Sequence, residues 1–562
     1  MPQPPETVTK GASPIESDSR HAARARGYAG TGRLLESWDF FFSVLNTYGR
    51  YRSDVAALEA PMKSIEMLRE LRTHGGKVRT QGLDDATIER FAGQDADLVG
   101  AIADAHASFA QLKAAHPEAL GMDEDAQLHA LQSGFVNFYP DDAICPFVPL
   151  AARGAWIVTL KGAVLYDCGG YGMLGFGHNP PAVMKALAKP QAMANVMTPS
   201  LAQHAFTEAL RKEIGHHAGK HPFAKFMCLN SGSESVTLAA RIADVNAKLM
   251  TDAGAKYAGR TIKRLVVKGA FHGRTERPAL YSDSSRKAYV NNLASFRDEH
   301  SVIAVEPYDV AALRRAFDEA EKNDWFFEAM FLEPVMGEGD PGRAVSTEFY
   351  AAARELTQAH GSLLLVDSIQ AGLRAQGVLS IVDYPGFENL PAPDMETYSK
   401  ALNGGQFPLS VLAVNEHAAG LYKKGIYGNT MTGNPRALDI ACAVLAEITP
   451  ELRANIRERG AELVKKLSAL KDELGGLITK VQGTGLLFSC ELAPQFKCFG
   501  ADSIEEYMRE RGINVIHGGA NSLRFTPHFS INEAEVDLLV AHVREALKHG
   551  PRQAVEANRA AA

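Results

Sequence analysis

Between Ala224 and Val414 the chain repeats one rhythm, a short apolar run followed by a longer amphipathic one. AKFMCL precedes SESVTLAARIADVNAKLM, IKRLVVKGAF precedes VAALRRAFDEAEK, and EAMFLEP precedes TEFYAAARELTQAH; SLLLVD and FPLSVLAV follow. Short β-rich runs alternating with helical ones predict an α/β fold, with a mostly parallel sheet covered on both faces. In open sheets of this kind ligands sit outside the carboxyl ends of the strands, so chemistry is expected there.

The flanks read differently. Residues 1–30 are polar and Pro-rich with no apolar core to a signal peptide, and are expected to be a disordered lead-in. Residues 31–140 form a helical N-terminal extension: VAALEAPMKSIEMLRELR, interrupted by Pro61, and DDATIERFAGQDADLVGAIADAHASFAQLKAAH, with Asp84 or Asp85 as N-cap, carry apolar residues at helical spacing. Residues 141–200 are read as the first part of a smaller domain and an active-site segment, with WIVTLKGAVLYD as a hairpin turning near Gly162. Residues 201–435 form the large domain. Residues 436–550 return to the small α+β domain, with strands in ITKVQ, GLLFSCEL, INVIH and LRFTP and a last helix, EAEVDLLVAHVREALK. Residues 551–562 are a tail.

Composition narrows the function. A net charge of −7 with interspersed signs argues against nucleic acid as a partner. No apolar stretch approaches the roughly 20 residues a membrane helix needs, so no membrane role is expected. The six cysteines form no CxxC pair, so no metal ribbon is expected and reduced, mostly buried thiols fit a cytoplasmic protein.

Three strand ends carry useful side chains. Ser231-Gly232-Ser233 follows AKFMCL and opens a helix. Such a turn is either an ordinary N-cap or a phosphate cradle, since free N–H groups and the helix dipole both favour an anion. Asp367 ends SLLLVD; it is either a solvated turn residue or the partner of a buried cation such as a protonated ring nitrogen. Gln370 lies within reach of the same ligand. Lys400 sits between a short strand and Gly404-Gly405. A lone lysine is usually on the surface, but a desolvated one forms Schiff bases.

In combination the motifs are more specific. NSGSES, AFHGRT, EPVMGE, DSIQAG, SKALNGG and TMTGNP occur in that order. The set resembles the class-III (ω-) aminotransferases, among them the ornithine, 4-aminobutyrate and lysine ε-aminotransferases, over residues 140–550. The resemblance implies a fold-type I transferase dependent on pyridoxal 5′-phosphate. It implies that Lys400 carries the cofactor and shuttles a proton, that Asp367 pairs with the pyridine nitrogen, and that Gln370 bonds the ring 3-oxygen. Phe271 would stack on the ring, with His272 beside it in the same motif. Ser231, Gly232 and Ser233 would hold the phosphate, and Thr430 would reach it from a neighbouring subunit, which implies a homodimer with shared active sites. Thr432 stands where glycine is usual. For substrate, Arg524 would bind an α-carboxylate, Glu338 would pair with it when no carboxylate is present, Arg274 would hold a second carboxylate, and Tyr171 would contact substrate.

The implied reaction is a ping-pong transfer of an amino group from an amine or ω-amino acid to an oxo acid, with 2-oxoglutarate expected. An aminomutase or decarboxylase on the same fold, or an inactive scaffold protein, would keep much of the same set. Two departures stand out. The usual Asp-Glu-Val-Gln-Thr-Gly reads Asp367-Ser368-Ile369-Gln370-Ala371-Gly372, so an acidic neighbour is missing, and Thr237 replaces another acidic residue.

Overall fold

The computed structural model describes residues 63–140, 143–297 and 299–553. The expected lead-in, residues 31–62 of the helical extension and most of the tail lie outside them.

The described residues begin with helices Ser64–Arg72, Asp85–Ala92, Ala96–Ala115, Pro117–Gly121 and Glu124–Gln132. Asp84 is the N-cap of the second, accepting from the Thr87 amide. The helical reading of 84–116 breaks once, at Gly93–Asp95, because Asp95 caps a new helix by accepting from the Asp97 amide. Leu68, Leu71, Ile88, Phe91, Leu98, Ile102 and Phe109 are buried on the inner faces. Each contributes about 1.5–3 kcal/mol.

These helices cover a four-stranded sheet of β1 (Pro149–Arg153), β2 (Trp156–Thr159), β3 (Val164–Asp167) and, from far along the chain, β13 (Ile513–Asn514). β2 and β3 form the expected hairpin, and Gly162 turns with φ +75°. Three contacts fix the helical layer to the sheet. Trp156 Nε1 donates to Asp95 (2.6 Å), Arg153 forms a two-pronged pair with Asp104, and the buried Lys161 donates to the carbonyls of Gly75, Leu120 and Met122.

The central sheet is seven-stranded: β4 (Lys225–Leu229), β5 (Thr261–Val267), β6 (Val302–Val305), β7 (Trp325–Leu332), β8 (Leu363–Asp367), β9 (Met395–Tyr398) and β10 (Ser410–Val414), in the order β4-β10-β9-β8-β7-β5-β6. Only β10 runs against its neighbours. Helix Gly232–Thr251 packs on it through Val236, Leu238, Ala239, Ile242 and Ala243. Helices Val310–Lys322 and Thr347–His360 have the bounds of the runs read from the sequence.

A third sheet joins β11 (Ile478–Thr484), β12 (Leu487–Leu492), β15 (Ser522–Phe525) and β14 (Ile516–Gly518), all antiparallel. INVIH, read as one strand, is two: β13 pairs in parallel with β3, and after Val515 the chain enters β14 in the other sheet. No helix among the described residues is long and apolar enough to cross a membrane.

Candidate active site

Strand ends of the central sheet surround a cavity of about 320 Å³. Ser231, Gly232, Ser233, Phe271, His272, Asp367, Gln370 and Lys400 all line it, although they come from four separate stretches of chain.

The turn after β4 combines both readings of its sequence. Ser231 is an N-cap, its hydroxyl accepting from the Glu234 amide, while Glu234 accepts from the amides of Asn230 and Ser231. The first helical N–H groups, of Gly232 and Ser233, have no acceptor within their own helix. A Cβ on Gly232 would lie 2.7 Å from Ile369 Cδ1, so glycine lets the turn close on the cavity wall.

Asp367 is buried at the end of β8. Thr397 Oγ1 donates to its Oδ1 (3.1 Å), as does the Ile369 amide (3.2 Å), and His272 Nδ1 lies 2.8 Å from its Oδ2. His272 is itself buried, and its Nε2 has no partner among the described residues. Phe271 is held by its amide, which donates to Glu333 (3.0 Å); Glu333 also takes the Gly337 amide (2.9 Å), and burial pushes its carboxyl up to about 7.

Lys400 follows β9 with φ +48°, a left-handed conformation that is strained for a non-glycine residue. Gly404 and Gly405, also left-handed, complete the turn. Burial, and then the nearby Arg524 guanidinium, push the lysine amine down to about 8.

Arg524 is fully buried on β15. Its Nη1 donates to Glu338 Oε2 (2.9 Å) and to the Gly337 carbonyl, with Gln370 Oε1 at 3.4 Å; Nε and Nη2 have no partner among the described residues. Tyr171 lies beneath the guanidinium, 5.2 Å from ring centroid to Cζ, and its hydroxyl donates to Tyr139 (2.7 Å). Arg524, Glu338, Tyr171, Arg274 and Thr430 are not among the residues that line the cavity, and the last two are exposed. Arg274 is exposed between the rings of Phe271 and Phe138, with Nη1 on Ser285. Thr430 is exposed, and its carbonyl accepts from Val196.

Glu333, Ile369, Asn403 and Met173 also line the cavity and were not singled out from the sequence. Glu333 had the same signal as Asp367, a carboxylate just after an apolar strand. Nothing in the sequence marked Thr397 as the hydroxyl that holds Asp367.

Residues 139–547 match the family model described as aminotransferase class-III. The chain is a class-III aminotransferase. Curated relatives agree. A succinylornithine transaminase of Citrobacter koseri is 29% identical over 405 residues, 71% of this chain and 91% of its own. An acetylornithine aminotransferase of Neisseria meningitidis serogroup B is 29% identical over 407 residues, 71% and 93%. Among solved structures, an ornithine aminotransferase of Toxoplasma gondii superposes with a TM-score of 0.64 at 23% identity, covering 78% of this chain and 98% of that one. An acetylornithine aminotransferase of Elizabethkingia anophelis gives 0.60 at 24%, covering 76% and 99%. The fold of these neighbours is the fold-type I arrangement.

Like its family, this aminotransferase uses pyridoxal 5′-phosphate to move an amino group from a small-molecule donor to an oxo acid. The residues present fit that cofactor. They offer unused N–H groups at a helix start for the phosphate, a buried carboxylate for a ring cation, an aromatic wall, and a lysine amine of lowered basicity.

Proposed function

We propose that the donor is an amine or ω-amino acid and the acceptor 2-oxoglutarate. The observation that carries this is Arg524, a fully buried guanidinium with one nitrogen on the carboxylate of Glu338 and two without a partner among the described residues. A buried cation with open donors is costly unless a ligand completes it, and a planar carboxylate matches its fork. With an amine in the site, Glu338 neutralises Arg524. With an α-oxo acid, Glu338 gives way and Arg524 takes the carboxylate. One pocket thereby accepts two unlike substrates in turn.

Bound in the cavity, pyridoxal phosphate supplies an aldehyde and an electron-withdrawing ring. The chain's residues have these roles in the proposal. Gly232 and Ser233 N–H groups and the two serine hydroxyls bind the phosphate. Asp367, braced by Thr397 and His272, holds the proton on the ring nitrogen. Gln370 bonds the ring oxygen, and Phe271 packs against the ring. Lys400 Nζ would hold the cofactor through its aldehyde and, once released by the donor amine, would carry a proton at the substrate carbon. Thr430, turned outward from its own cavity, serves the phosphate of a second protomer in a homodimer, and Arg274 and Tyr171 meet the donor's far end. The absence of disulfides among the described cysteines suits a cytoplasmic setting.

The test is a donor panel, headed by ornithine and its acyl derivatives as the relatives' names direct, with 2-oxoglutarate or pyruvate as acceptor. Glutamate should form, and Arg524→Ala should raise KM for 2-oxoglutarate by about 10- to 100-fold, the loss of a charged hydrogen-bonded pair. Turnover with pyruvate alone would overturn the acceptor assignment.

A further inference from the structure

Glu396 is buried on β9, and no lysine, arginine or histidine pairs with it among the described residues. Its carboxylate is met by three donors instead: Ser368 Oγ (2.6 Å), Ser380 Oγ (2.5 Å) and the Ile381 amide (2.9 Å). An apolar side chain would fill this place without the cost of burying a carboxylate, so its presence calls for a reason.

The reason lies in what the three donors belong to. Side chains alternate across a strand, so Thr397 and Glu396 point to opposite faces, as do Asp367 and Ser368. On the cavity face Thr397 holds Asp367 (3.1 Å); on the opposite face Glu396 holds Ser368. Between them the Ser368 amide donates to the Thr397 carbonyl (3.0 Å). Ser380 and Ile381 close the other end of the loop that begins at Ser368 and contains Gln370. One carboxylate therefore pins both ends of that loop to the strand leading into Lys400.

The sequence departure at Ser368 now has a counterpart. The acidic side chain expected after Asp367 is absent, and a carboxylate reaches Ser368 from the adjacent strand.

We propose that Glu396 is a positioning residue for the transamination, fixing the turn that carries Asp367 and Gln370 against the strand that carries Lys400. This rests on the reading of Asp367 and Lys400 as cofactor groups.

The experiment uses the full chain loaded with pyridoxal phosphate. It measures cofactor dissociation and the pH titration of the yellow, lysine-bound absorption in Ser368→Ala, Glu396→Gln, Glu396→Val and the double variant Ser368→Glu/Glu396→Val. Losing a buried carboxyl that accepts three hydrogen bonds predicts cofactor binding weakened about 10- to 100-fold in Glu396→Val. Ser368→Ala and Glu396→Gln should show a smaller loss of about 3- to 10-fold with the absorption titration displaced in the same direction. The double variant, which returns the carboxylate to the β8 side, should recover to within about threefold of wild type. Should Glu396→Val not fold, Ser368→Ala and Glu396→Gln decide. An unchanged titration in those two overturns the proposal, even if thermal stability falls, and so does a double variant no better than Glu396→Val. Lys400→Ala and Asp367→Asn separate the two readings. If Lys400→Ala still turns yellow and active, the cofactor assignment fails; if both controls respond and the Ser368 and Glu396 variants do not, only the positioning role fails.

Discussion

At the scale of single residues, the site works by taking charged groups out of water and leaving some of their valence open. Lys400 is the clearest case. Desolvation disfavours its ammonium, and the Arg524 cation disfavours it further, so the amine is pushed down to about 8. Cofactor attachment needs the free amine. The rate at which cofactor-free protein turns yellow with pyridoxal phosphate should therefore rise with pH around a midpoint near 8. Replacing Arg524 by alanine removes a depressing charge and should move that midpoint upward; a midpoint that stays put would show that burial alone sets it. Lys400, Asp367 and the serine-glycine turn were legible in the sequence because each stands at a strand end inside an ordered motif set. Glu396 was not. A glutamate in a four-residue strand carries no sign of which hydroxyls it will meet, since Ser368 and Ser380 lie 28 and 16 residues away along the chain.

At the scale of elements, most of the central sheet could be read from apolar runs, and the helices between strands from their spacing. The misses have separate causes. β1 and β6 are edge strands, only partly buried: PLAAR has one large apolar residue, and VIAV, apolar throughout, is only four residues long. INVIH reads as one strand because its division between two sheets depends on partners far away in the chain. The start of helix Gly232–Thr251 shows how closely an element can be fitted to the site. Gly232 faces Ile369, which lines the same cavity. Gly232→Ala places a methyl 2.7 Å from Ile369 Cδ1, so the turn or the side chain must shift toward the phosphate position. A misfit of this kind costs about 1–3 kcal/mol, which corresponds to cofactor binding weaker by about 5- to 150-fold in equilibrium dialysis. Unchanged binding would mean that the turn does not hold the phosphate.

At the scale of the whole molecule, the helical extension is a structural layer rather than an appendage. Arg79 pairs with Glu506 and Glu510, and the amides of Gln81 and Gly82 donate to the Glu510 carbonyl, tying residues near the start of the described chain to its last quarter. Lys161 is the central fastener, with three carbonyls from the helical layer on one buried ammonium. Lys161→Met would leave those carbonyls unpaired at a cost of about 2–4 kcal/mol. Hydrogen exchange should then quicken in residues 64–132 before it does in the central sheet, because local openings follow local stability. Equal protection in both regions would sink this view of the layer. No reason for the extension is legible in its residues, because its inner faces are ordinary apolar stripes that do not name the surface they cover.

The passage from β13 to β14 through Val515 has a mechanical result. One peptide stretch is laced on one side to β3, a few residues ahead of Tyr171, and on the other to the strand bearing Arg524. With a single residue of spare chain between the two lacings, the walls that meet at the tyrosine and the guanidinium cannot slide lengthwise past each other. Relative motion of these two walls is left with a tilt about Val515, which keeps Arg524 at a nearly constant reach from Tyr171.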